Sequence, residues 1–114
     1  MWLFLPDAFY SVRAYDSRKA GTNVDDPHVV VRARVQGDLE KVRELTQGSF
    51  DLPHGSDYRY HLAVPSAEWT RFLARAVDDL KDRAPMKSAG NPRNRTHMQV
   101  WSATWELEVL TDAR

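Results

Sequence analysis

Two stretches of this chain alternate apolar and polar side chains with a period of two, and a third places its apolar residues three and four apart. In Val29 to Val35, VVVRARV, residues Val29, Val31, Ala33 and Val35 fall on one side, with Arg32 and Arg34 on the other. DYRYHLAV, Asp57 to Val64, repeats the pattern with Tyr58, Tyr60, Leu62 and Val64. Successive side chains of a strand point to opposite faces, so both stretches predict half-buried strands. FYSVRAY, Phe9 to Tyr15, is aromatic and β-branched enough for another strand. It can continue Trp2 to Leu5 across a Pro6-Asp7 turn and pair with 29–35 as a long-looped hairpin.

Trp69, Phe72, Leu73, Ala76, Val77 and Leu80 fall at helical spacing behind Pro65 and Ser66. They predict a helix lying flat on the sheet and supplying the largest part of the core, with Pro85 at or beyond its end. GDLEKVREL, starting at Gly37, predicts a shorter helix with Asp38 as N-cap and a stripe of Leu39, Val42 and Leu45. The runs 16–27 and 48–56 are rich in Gly, Asn, Asp, Ser and Pro and read as loops. The tail fits two periods. Trp101, Ala103, Trp105, Leu107 and Val109 alternate as in a strand, while Met98, Trp101, Trp105 and Val109 make a helical stripe.

The order implies an α+β fold: an antiparallel sheet of three or four strands with two or three helices packed on one face. A terminal strand would bring it close to a ferredoxin-like arrangement, and a terminal helix would give three helices. At 114 residues the chain reads as a single domain, 1–114. A chain of this length buries roughly 65% of its unfolded surface, enough for one core. Cysteine is absent, which removes disulfides and thiolate metal sites. The apolar opening Met1 to Leu5 is too short for a signal peptide or a membrane span, so the expectation is a soluble, cytoplasmic protein.

Read in order, several segments resemble an uncharacterised family of small proteins from actinobacteria, their phages and some cyanobacteria that open Met-Trp-Leu-Phe. The segments are MWLF at 1–4, FYSV at 9–12, VRARVQGDLE at 31–40 and DYRYHLAVPSAEW at 57–69, followed by Met86-Lys87, Arg93, Arg95 and Val100-Trp101. The tail of such proteins reads as a helix, so the resemblance implies a terminal helix here. It implies no mechanism. Its phage members suggest, by analogy, a regulatory or anti-host role.

Sixteen Lys and Arg balance sixteen Asp and Glu, so an anionic partner would meet a patch rather than a basic body. One such patch is 81–97, where Lys81, Arg83, Lys87, Arg93 and Arg95 stand against Asp82 alone, with His97 beside them. Lys87, Arg93 and Arg95 are suited to phosphates or carboxylates, and Trp101 to stacking. The plainer reading is a solvated loop with its tryptophans in the core. Alternation also sends Arg32, Arg34, Arg59 and His61 to the open side of the sheet. Nucleic-acid-binding sheets show exposed aromatics there, whereas these aromatics alternate inward. Cross-strand pairing with Asp or Glu is the plainer fate of those arginines.

His61 or His97 beside an arginine could serve a metal-independent phosphoester-cleaving enzyme, but no second proton-transfer group stands at a fixed spacing. His28 and His54 read as loop surface. The adjacent acid pairs Asp25-Asp26 and Asp78-Asp79 lack a metal-ligand series, no Gly-rich phosphate loop is present, and no cofactor is implied. The MWLFL opening reads as a strand whose Trp2 and Phe4 complete the core; its alternative is an apolar patch for homodimerisation. These residues together predict a non-enzymatic binding or regulatory module that engages an anionic ligand, protein or nucleic acid through 81–97. The candidate binding residues are Lys87, Arg93, Arg95, His97, Trp101, Arg59 and His61.

Overall fold

Pro6 and Asp7 close a two-residue turn between Trp2–Leu5 (β1) and Ala8–Ala14 (β2), which pair antiparallel with Phe4 opposite Phe9. The computed structural model describes residues 1–15, 27–55, 57–80, 95–96, 98–100, 102–105 and 107. Met1–Lys81 and Asp82–Arg114 form two compact units.

In the first unit, β2 pairs with His28–Ala33 (β3), and β3 with Tyr60–Pro65 (β5). The helix Gln36–Leu45 (α1) links β3 to Phe50–Leu52 (β4), which adds to the far edge of β5. Ser66–Asp79 (α2) follows β5 without a loop. The sheet is antiparallel throughout, in the order β1-β2-β3-β5-β4. Its five strands exceed the three or four expected. One of the extra strands is the three-residue β4, too short to show a period inside a run that reads as loop. In the second unit, residues 95–96, 98–100, 102–105 and 107 are helical, which resolves the tail in favour of the helix. Arg95 and Met98 are both exposed there.

One sheet face carries Ala8, Tyr10, Val12, Val31, Ala33, Leu62 and Val64 against Leu39 and Val42 of α1 and Trp69 and Phe72 of α2. Tyr10 meets the rings of Trp69 and Phe72 edge-on, each at 5.8 Å, and those two rings stack on each other at 5.1 Å. The apolar stripe of α2 is thus only half used: Val77 and Leu80 are 63% and 51% exposed. More of the core comes from the strands than the helical periodicity suggested.

Three further expectations change at element ends. Val35 leaves the strand, occupies the N-cap position of α1 and is exposed, and Leu45 is exposed at the other end of that helix. Asp38 is not the cap, because α1 begins at Gln36. The carboxylate of Asp38 is instead buried and accepts the amide of Phe9 at 3.1 Å. The amides of Phe9, Ser11 and Arg13 face β3, yet β3 pairs with β2 only from Ser11 to Ala14. Asp38 therefore accepts a donor that the ladder leaves over. Tyr10 in turn donates its hydroxyl to the Asp38 carbonyl at 2.8 Å.

Candidate functional site

The sheet face turned away from α1 and α2 holds every second residue of the same strands. Cross-strand register puts Trp2, Ser11, Arg32, His61 and Leu52 in one row, with Arg13, Val30, Ala63 and Phe50 in the next. Along one margin Phe4 stacks on Phe9 at 4.4 Å. At the other margin the rings of Tyr15, His28 and Phe50 lie 5.6–6.0 Å apart. β2 and β4 are separated by three strand spacings, about 14 Å, so Tyr15 and Phe50 reach toward each other across β3 and β5. His28, expected as plain loop surface, is half-buried in this group.

Between these margins lies the basic part of the face. Arg32 donates to the Ser11 hydroxyl at 2.6 Å, and its guanidinium lies 4.8 Å from the centre of the Tyr58 ring. Arg34 covers the same ring at 4.5 Å and donates to the Asp57 carbonyl at 2.9 Å. Tyr58 is therefore not a core residue of the helix-side face. It precedes β5, packs beside Phe9 and is held by two guanidinium groups, a cation–π arrangement. Arg13 is exposed on the same face, one register step from Arg32.

The expected pairing of these arginines with carboxylates does not occur among the described residues. Ion pairs there join Lys41 to Asp7, Arg43 to Glu40 and Asp51, and Arg71 to Glu68. The cations of these pairs stand on α1 and α2, and none is Arg13, Arg32 or Arg34. Trp2, expected in the core, is 70% exposed. The alternation that packs Leu3 and Leu5, partly buried, against the core turns Trp2 to the other side.

His61 lies beneath the β4–β5 loop. Its Nε2 meets the Tyr58 carbonyl at 2.8 Å, and a β-carbon on Gly55 would collide with the imidazole. Burial pushes its pKa below the ordinary histidine value; the Tyr58 carbonyl opposes this, and the charges of Arg32 and Arg13 add to it. Among the described residues the hydrogen-bond partner of the ring is the Tyr58 carbonyl, and no carboxylate hydrogen-bonds it.

Arg59 does not join Arg32 and Arg34. It lies 5.6 Å from the centre of the Tyr60 ring, at a cleft of about 640 Å³ between α1 and the β4–β5 end. Arg43 also lines that cleft, but Asp51 binds it at 2.7 Å, which holds the Asp51 carboxyl below its usual range. Lys87 and Arg93, and the side chains of His97 and Trp101, lie outside the described residues; Arg95 is exposed on the C-terminal helix.

Sequence reasoning missed Arg13 and Trp2. Their signal was present, since Arg13 alternates with Val12 as Arg32 does with Val31, but the shared row became visible only through the register Trp2–Ser11–Arg32. Compared with family models, curated proteins and solved structures, the chain matches none. No described helix is long and apolar enough to cross a membrane.

Proposed function

We propose that this protein is a non-enzymatic binding module that engages an anionic ligand or macromolecular partner through the sheet face opposite α1 and α2. The observation that carries the reading is the placement of Arg13 and Arg32 on one face, with Arg34 on the same Tyr58 ring as Arg32, and with no carboxylate partner for the three among the described residues. Guanidinium groups held on aromatic rings are oriented in advance, so less freedom is lost when an oxyanion binds. The segment 81–97, with Lys87, Arg93 and Arg95, is a separate source of positive charge in the same chain, and its share is measured separately.

The test is calorimetric titration with inorganic polyphosphate at low and moderate salt. Arg13→Ala with Arg32→Ala is expected to weaken binding at least tenfold while the fold persists, as judged by circular dichroism. Arg93→Ala with Arg95→Ala reports the contribution of the segment. If the first pair leaves affinity unchanged and the second abolishes it, the sheet face is not the site.

A further inference from the structure

We infer that the anionic partner is a single-stranded nucleic acid, with Trp2 as the surface on which a base stacks. This rests on the reading above and narrows it.

Two chemistries share the face. The first is the guanidinium group of Arg13, exposed, one step from Arg32, which is fixed by Ser11 and Tyr58. The second is an indole left 70% exposed in the same row as Ser11 and Arg32. A polyanion such as an acidic peptide satisfies only the first and leaves the indole without a matching surface. A nucleic acid strand alternates phosphates with flat aromatic faces and satisfies both.

Ser11 makes this arrangement possible. Its small side chain separates Trp2 from Arg32, two strand spacings or about 10 Å apart, and anchors the guanidinium. Ser11 itself is buried beneath the row, so it anchors the guanidinium without meeting the ligand. The stacked Phe4 and Phe9 rings continue the apolar margin beside Trp2. A duplex hides its base faces, so the surface selects unpaired strands. Reading by stacking is tolerant of sequence, because every base has an aromatic face.

The experiment compares three labelled probes by fluorescence anisotropy: an oligothymidylate, an abasic oligodeoxyribose phosphate of equal length, and poly-glutamate. The wild-type protein is expected to bind the oligothymidylate about tenfold more tightly than the abasic strand. Trp2→Ala should remove that difference, and Trp2→Phe should keep most of it. Arg13→Ala with Arg32→Ala should weaken both strands alike; should the pair disturb folding, Arg13→Glu at its exposed position replaces it. Equal affinity for both strands, a Trp2→Ala variant that keeps the preference, or a preference for poly-glutamate overturns the inference and leaves the anion-binding reading intact. Failure of the arginine variants to change any affinity overturns that reading itself.

Discussion

Asp38 shows how one side chain can serve a different element from the one its sequence position suggests. Its place after Val35-Gln36-Gly37 reads as a helix cap, yet its carboxylate accepts the Phe9 amide beyond the end of β3. Asp38→Ala leaves that buried donor without a partner and should lower unfolding stability by about 1–3 kcal/mol in urea, with Asp38→Asn milder because an acceptor remains. His61 gives the pH counterpart. Its folded pKa lies below the ordinary 6.5, chiefly through burial, so the unfolded chain takes up the proton first. Its contribution to stability is complete above about 6.5 and is lost as the pH falls from there through the lower folded value. Denaturation midpoints measured at about pH 7.5 and about pH 5 should differ less in His61→Gln than in the wild type. An unchanged difference would show that His61 is not the group responsible.

At the scale of elements, α2 was legible in its existence and its buried start, and misread in its far half. Trp69 and Phe72 close on Tyr10, while Val77 and Leu80, on the same helical stripe, remain exposed. Periodicity reports which side of a helix is apolar; it does not report how far the sheet extends beneath it. Trp69→Ala should therefore cost about 3–5 kcal/mol, whereas Val77→Ala should change the thermal midpoint little. Trp69→Phe should cost less than Trp69→Ala, since it keeps an aromatic ring and removes an indole N–H that is buried without an acceptor among the described residues. β4 could not be read in advance because three residues carry no period. The Pro6-Asp7 turn was legible, though the hairpin it closes was readable only as a continuation of one strand into the next.

Across the first unit, charge is sorted by face. Lys41, Arg43 and Arg71 have their acids on or beside the helices, while Arg13 and Arg32 share the opposite side of the sheet, with Arg34 on the same Tyr58 ring as Arg32. A chain with zero net charge can therefore still present a local positive field. If those three arginines each neutralise a phosphate of a single strand, log affinity should fall against log salt with a slope of about −2, and Arg13→Ala with Arg32→Ala should flatten it by about 1.4. A slope near zero in the wild type would mean that charge does not drive the association.

By itself the sequence determined the fold class, the antiparallel pairing of 9–15 with 29–35, the inward set Val29, Val31, Ala33, Leu62 and Val64, and the placing of Arg32 and His61 on the other side. These follow from local period, which is set by backbone geometry within a few residues. Only the tertiary structure decided that Trp2 shares a row with Ser11 and Arg32, that Tyr58 packs against Arg32 and Arg34, that Arg59 lines the cleft beside α1, and that Arg13 stands with Arg32. Each of those depends on register between strands distant in sequence, or on where a loop turns back over the sheet, and no local pattern encodes either.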